Sequence, residues 1–435
     1  MRHAPRTMLL FCVLAMATTC SALAQGTWEA IPGAPVAGRL DDMHFVDPST
    51  GWVVDSSGEI YRTTDAGASW HLQASTGLYF RTIYFADSQV GIAGTLGSQL
   101  LYRTTDAGGH WVAIPNNSIP VPRPPAVCGL AGFGDAVYGT GAYFGPAVLI
   151  RSTDRGATWG SVDMSPYARN LVDCYFTSET SGFAIGGSPG SISQSKPVIL
   201  RTTDGGTTWS TRYLGTQAGA YCWKIYFVDA LTGYASVYST SSATVLRTKD
   251  GGLSWSAVNV PGIDELEGIG FVTETHGWVD GWGGSAESTD GGVTWQPYQI
   301  QGAASAINRY QFFGASSGFA VGYTVFRYQA TTDAPPLPTA PRETVFLLSA
   351  SPNPSRGSIR FSFTLPVGER AMLRLYDSLG RELRTIASEE LPAGPHTVDW
   401  DARGGDGARL PAGIYLYRLD AGGRAESRTV TLLQP

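Results

Sequence analysis

Two repeated phrases and one change of composition predict an all-β chain: a seven-bladed β-propeller followed by a small Ig-like β-sandwich. The first phrase occurs six times in the 435 residues, at Thr63–Trp70, Thr104–Trp111, Ser152–Trp159, Thr202–Trp209, Thr248–Trp255 and Ser288–Trp295. The second begins at Phe45, Phe85, Phe176, Phe227, Phe271 and Phe313 and ends on a Gly, mostly with an aromatic after it; Phe133 to Tyr138 is a degenerate seventh copy. Beyond Pro341 both phrases stop and the charged fraction rises.

The first phrase reads Ser/Thr-x-Asp-x-Gly-x-Ser/Thr-Trp, with His110 as the one departure. Each position has a physical role in a tight β-turn. Asp65, Asp106, Asp154, Asp204, Asp250 and Asp290 can accept backbone N–H bonds from the residues after them. Gly67, Gly108, Gly156, Gly206, Gly252 and Gly292 supply a positive φ. Trp70, Trp111, Trp159, Trp209, Trp255 and Trp295 open the next strand with apolar surface for packing between units. Arg precedes five copies and Glu287 the sixth, and stems such as those of Arg62, Arg103 and Arg201 suit the covering of blade edges.

Each unit is an apolar strand, a polar turn, a Gly-aromatic strand and then the turn hairpin. The turn Asp residues stand 41, 48, 50, 46 and 40 residues apart, the period of a four-stranded blade. Seven units against six turns has a direct resolution. The last unit ends at Val325–Tyr328 without a turn, while residues 27–31 look like the strand that follows a turn elsewhere. That strand is expected to complete the seventh blade and close the ring, removing the exposed edge. Six or eight blades fit less well.

Composition agrees: Gly 54, Trp 12, Tyr 20 and 15% charged residues suit short strands joined by Gly turns. The net charge of −6 argues against a nucleic-acid partner. Arg2 and Arg6, the apolar run Met8 to Met16 and Ala22-Leu23-Ala24 read as a secretory signal over residues 1–24. Cys128, Cys174 and Cys222 remain after it, either with one bridge between adjacent units or as buried thiols. No Cys-x-x-Cys or His cluster points to a metal, and no cofactor is implied.

The propeller is expected over 25–333, a Pro-rich linker over 334–345 and the C-terminal domain over 346–435. Strand-like runs in the last are Ser358–Leu365, Met372–Asp377, His396–Trp400, Gly413–Leu419 and Ser427–Leu433.

The six turns resemble the Asp-box, or bacterial neuraminidase repeat, which specifies a fold and says little about activity. The phrases Phe227-Val-Asp-Ala-Leu-Thr-Gly-Tyr234 and Arg201-Thr-Thr-Asp-Gly-Gly-Thr-Thr-Trp209 resemble the photosystem II assembly and stability factor family over about residues 26–330. That resemblance implies a single-ring, seven-bladed binding scaffold with an arginine patch on one face. Ser351-Pro-Asn-Pro354, Leu375–Gly380, Trp400–Gly407 and Leu410–Tyr415 resemble the type IX secretion C-terminal sorting domain and the related Ig-like domain of flagellar hook-capping proteins. This implies export or attachment through the secretion machinery, with Arg428 as the basic residue before the final apolar strand.

Candidate binding residues come from the starts of the inner strands: Arg39, Arg81, Arg169, Lys224 and Arg309, interleaved with Asp41, Asp42, Asp173, Asp264, Glu265 and Glu267. A ring of cations at a concave mouth can hold a carboxylate or an acidic peptide. The same residues can instead pair with those carboxylates. Three function classes follow. The favoured one is a secreted, monomeric, non-enzymatic scaffold for a protein or glycan ligand; an assembly factor for a membrane complex is a variant of it. A sialidase would draw on Arg39, Arg169, Arg309, Tyr310, Glu265 and Asp41, but Leu40-Asp41 follows Arg39 where sialidases carry Arg-Ile-Pro. A xyloglucanase would need a second propeller across its cleft.

Overall fold

The computed structural model describes residues 26–303, 306–330 and, with interruptions at 352, 354, 366–367, 378–380, 393 and 422–423, residues 349–433. The expected signal sequence and Pro-rich linker lie outside the described residues. The chain divides into two compact units, one up to Thr332 and one from Asp333.

The first unit holds seven four-stranded antiparallel sheets. Their innermost strands are Leu40–Phe45, Phe80–Phe85, Val127–Phe133, Asn170–Phe176, Tyr221–Phe227, Asp264–Phe271 and Arg309–Phe313, in blades 1 to 7. Each packs against the next, and the seventh against the first, so the ring is closed. Gly26–Ala30 pairs antiparallel with Val325–Ala330 as the outer strand of blade 7. Trp28 fixes this seam, packing edge-on to Trp278 at 5.5 Å and Tyr310 at 5.4 Å in a fully apolar environment.

The Phe–Gly-aromatic phrase is an inter-blade packing device. Phe45 stands opposite Gly51, and a β-carbon on Gly51 would lie 2.3 Å from the Phe45 ring. Phe85 and Gly91, Phe176 and Gly182, Phe227 and Gly233, and Phe271 and Gly277 repeat that contact. The aromatic after the Gly, or Tyr138 at that place in blade 3, then stacks on the Phe of the next blade. Trp52 lies 3.5 Å from Phe85, Tyr138 3.5 Å from Phe176, and Tyr234 3.7 Å from Phe271, all nearly coplanar. Phe319 on Phe45, at 4.0 Å, carries the stack across the seam. The Arg before the turn lays its guanidinium over these rings, as Arg62 over Trp52 at 5.4 Å and Arg151 over Tyr138 at 5.8 Å.

The repeated turn is held by its own side chains. Thr63 Oγ1 donates to Asp65 Oδ1 at 2.8 Å and accepts the Gly67 N–H at 2.8 Å. Ser69 donates its N–H to Asp65 Oδ1 and its hydroxyl to Oδ2. The other five turns repeat this, with His110 Nδ1 on Asp106 Oδ2 at 2.6 Å replacing the hydroxyl. The residue before each Gly is also left-handed (Ala66 at φ 58°, Gly67 at φ 85°), which explains Gly at that place in the last three copies. The hydrogen bonds from Ser69 hold the Asp65 carboxyl down to about 2.

Cys128, Cys174 and Cys222 are buried free thiols, which decides between the two alternatives. Cys174 belongs to the core between blades 3 and 4 and Cys222 to that between blades 4 and 5, so they do not meet.

The second unit is a sandwich of two antiparallel sheets, Ser349–Ser351/Ile359–Leu365/Gly394–Trp400 and Glu382–Leu391/Glu369–Tyr376/Gly413–Ala421/Arg424–Leu432. Phe361, Phe363, Leu373, Leu375, Trp400 and Tyr417 fill the space between them. Arg428 lies in the last strand, opposite Tyr417.

Candidate functional site

The inner strands of blades 1 to 6 each carry a register shift, between Leu40 and Asp42, Phe80 and Thr82, Val127 and Gly129, Leu171 and Asp173, Cys222 and Ile225, and along Asp264 to Gly268. A bulge inserts an extra residue and re-aims its neighbours. It breaks strict in-out alternation, and consecutive residues such as Asp41 and Asp42 are both buried.

Three of the five basic candidates, Arg39, Arg81 and Arg309, are ion-paired in a compact charge cluster, and a fourth, Lys224, is buried beside it. Arg39 pairs with Asp41 at 2.6 Å and with Glu267 of blade 6 at 2.7 Å. Arg81 reaches Asp41 at 3.2 Å. Arg309 of blade 7 pairs with Asp42 at 2.7 Å and crosses to Asp173 of blade 4 at 3.2 Å, so this pair spans the ring. Lys224 is 1% exposed and its Nζ has no hydrogen-bond partner among the described residues. Arg169 joins none of these pairs; its carbonyl lies against Gly145 and its N–H donates to Gly187 O at 2.8 Å. Arg39, Arg81 and Arg309 thus meet carboxylates of their own and other blades.

Electrostatics follow from burial and pairing. Burial opposes the Arg39 charge, but Asp41 and Glu267 outweigh it and raise its pKa. Burial likewise opposes ionisation of Asp42, yet Arg309 and Lys224 hold its carboxyl below the usual range. Lys224 is pushed down to about 8, first by burial and then by Arg309. Asp42 and Asp173 also brace the ring: Ile83 N–H donates to Asp42 Oδ2 at 3.1 Å, and Ile225 N–H to Asp173 Oδ2 at 3.2 Å.

The sialidase constellation is not assembled. Tyr310 lies in the apolar core with Trp28 and Trp278, while Glu265 begins the blade 6 strand in a left-handed conformation (φ 48°) beside Tyr238. Arg39, Arg309 and Asp41 are already ion-paired.

Three surfaces remain open. The face holding the starts of the inner strands carries exposed apolar side chains in its loops, among them Tyr143, Phe144, Ile192, Trp282 and Tyr323. Tyr143, Tyr221, Trp223 and Tyr238 form a connected aromatic array there, with centroids 5.1–6.0 Å apart. The buried Arg81 guanidinium lies 5.1 Å from the Trp223 ring, and Glu265 stands beside Tyr238. On the same face of blade 6 a groove of about 730 Å³ is lined by Pro261, Ile263, Asp280, Trp282, Ser285 and Tyr298. Burial pushes the Asp280 carboxyl up to about 7. At the opposite end, Tyr84, Tyr175, Tyr226 and Phe312 line a cavity of about 450 Å³ that ends on Asp42 and Arg309. The exposed aromatics have a sequence signal: Tyr143, Phe144 and Trp282 all sit where the second strand of a blade turns into the third, whereas Tyr221 and Trp223 of the array open the inner strand of blade 5.

Comparison with known proteins agrees with this architecture. The photosynthesis system II assembly factor YCF48 family matches residues 20–131, and the FlgD Ig-like domain matches residues 351–424. No curated relative matches the chain. Among solved structures, YCF48 bound to D1 peptide is 20% identical with a TM-score of 0.53, covering 71% of this chain and 99% of its own. PorZ, a surface component of the type IX secretion system of Porphyromonas gingivalis, is 15% identical with a TM-score of 0.53 over 92% of this chain and 60% of its own. The GH74 xyloglucanase from Xanthomonas campestris is 14% identical with a TM-score of 0.51, over 85% of this chain and 63% of its own. The chain thus joins a seven-bladed propeller similar to the YCF48 assembly factor to an Ig-like domain similar to that of FlgD.

Proposed function

We propose that this chain is a non-enzymatic binding propeller, working outside the cytoplasm, whose ligand is a peptide segment of another protein. The observation that carries this reading is the exposed aromatic pair Tyr143 and Phe144, continued inward by the half-buried Tyr221 and Tyr238 and the buried Trp223. Monomeric surfaces seldom leave such apolar side chains together without a use, and aromatic grooves with a few polar groups suit extended peptides. The cluster makes the ring stiff rather than reactive. That a similar propeller, YCF48, is solved with a peptide supports a protein ligand, and the similarity to PorZ supports a place at the cell surface. On this reading the C-terminal domain serves export or attachment, and Arg169 and Arg39 contribute charge at the edge of the peptide site.

A peptide array probed with the purified chain, run beside a panel of fluorogenic glycosides, tests it. Peptide capture that is lost in Tyr143→Ala and Phe144→Ala, in variants that melt like the parent, is expected. A glycosidase reading draws on one observation, the groove with the Asp280 carboxyl near neutrality. Turnover of any glycoside, abolished by Asp280→Asn, would replace the first reading.

A further inference from the structure

We propose that the axial cavity at the turn-bearing end of the ring binds a small, uncharged, flat aromatic molecule with a hydrogen-bond acceptor at one end. The residue before the Phe that closes each inner strand builds it. Phe45 turns into the stack between blades, so its neighbour His44 points the other way, to the axis. Tyr84, Tyr175, Tyr226 and Phe312 stand at the same place in blades 2, 4, 5 and 7. All five rings are half-buried and line one cavity of about 450 Å³. Blades 3 and 6 carry Gly132 and Gly270 there instead. A β-carbon on Gly132 would lie 2.8 Å from the Tyr84 ring, and one on Gly270 3.0 Å from the Phe312 ring, so the glycines leave room for the rings of neighbouring blades.

Most polar groups of the walls are spent on the ring itself. The Tyr226 hydroxyl donates to Phe271 O at 3.0 Å and the Tyr175 hydroxyl to Phe227 O at 3.4 Å, each in the next blade. The Gln311 amide is bonded both ways to the Phe45 backbone. At the inner end stand Asp42 and Arg309. Asp42 already accepts on both oxygens, from Arg309, Thr82 and Ile83. Arg309, with its side chain 20% exposed, gives Nε–H to Asp42 and one N–H from each Nη to Asp173. A guanidinium has five N–H groups, so one on each Nη remains for the acceptor of a guest. Asp42 and Asp173 offset the charges of Arg309 and of Lys224, which acts on the same two carboxylates. Burial pushes the His44 imidazole down to about 4, so it too is uncharged at neutral pH. An ion would give up its hydration here without gaining a free counter-charge. A neutral planar ring gains apolar contact with the aromatic walls and loses little. The site lies at the opposite end of the ring from the Tyr143–Phe144 surface and does not rest on the peptide reading.

The test titrates the full chain with coumarin, whose lactone carbonyl is the acceptor, beside benzoate and benzyltrimethylammonium at constant ionic strength and neutral pH. By calorimetry coumarin should saturate a single site and bind roughly tenfold tighter than either ion. Tyr84→Ala should weaken its binding roughly fivefold or more. Crystals of the full chain soaked in 3-bromocoumarin should give an anomalous peak among Tyr84, Tyr175 and Tyr226, a readout that stands even where Tyr84→Ala fails to fold. Coumarin that does not saturate, an ion that binds tighter, equal affinity in parent and folded variant, or no bromine peak in the cavity would each overturn the proposal.

Discussion

Replacing Asp280 by Asn should remove much of the pH dependence of the propeller's stability between pH 5 and 8. Asp280 takes a place that Val54 holds in blade 1, and its carboxylate straps blade 6 to blade 7. Ser285 Oγ donates to its Oδ2, and the Ile307 N–H donates to its Oδ1 at 2.8 Å. Burial, reinforced by Glu267, raises its pKa from 3.8 to about 7 in the folded chain. Well below pH 3.8 the group is protonated in both states and costs nothing. As pH rises, the unfolded chain loses the proton first, so the native state is progressively penalised until the folded group also ionises. At ~1.4 kcal/mol per pH unit this amounts to about 3 kcal/mol lost between pH 5 and 8. An Asn amide keeps the geometry, accepting from Ile307 N–H and donating to Ser285 Oγ, without the ionisation. Urea unfolding followed by tryptophan fluorescence, at both pH values in both proteins, measures the difference of differences. An equal loss of stability with pH in parent and variant would refute the reasoning.

Two further outcomes follow from the packing. Gly51→Ala puts a methyl group 2.3 Å from the Phe45 ring, which has the Phe319 ring stacked on it at 4.0 Å. The variant should lose about 1–3 kcal/mol and unfold at lower urea, and an unchanged midpoint would show that the seam can yield. Trp28→Ala leaves a cavity in the core shared with Trp278 and Tyr310. A cost of about 3–5 kcal/mol is expected, read as earlier proteolysis at the blade 7 seam; protection equal to the parent's would mean that the outer strand does not hold the ring shut.

Legibility tracked the range of each interaction. In the C-terminal unit the strand Glu382–Leu391 escaped notice because it is an edge strand with Glu382, Arg384, Glu389 and Glu390 along it. Charged edges guard against sheet-to-sheet pairing and so erase the apolar alternation by which a strand is read. The unit's core strands, with Phe361, Leu373 and Tyr417 inward, kept it. In the propeller, the left-handed residue before each turn Gly was invisible where Ala or Arg occupies it, as at Ala66 and Arg155.

By itself the sequence determined the blade. Its turn is closed by hydrogen bonds spanning two to four residues, from Thr63 to Ser69, and its Phe–Gly contact spans six, so both must recur wherever the phrase recurs. The all-β class, the repeat period and the chain's missing last turn are consequences of that local chemistry. The tertiary structure alone decided what the inner-strand charges do. Arg39 meets Glu267 across 228 residues, and Arg309 meets Asp173 across 136, by virtue of where blades 6 and 4 stand in a closed ring. Bulges set the depth of each head group, and no spacing along the chain encodes which bulge faces which. Arg39, Arg81 and Arg309, which read as free cations in one dimension, are in three ion-paired between blades.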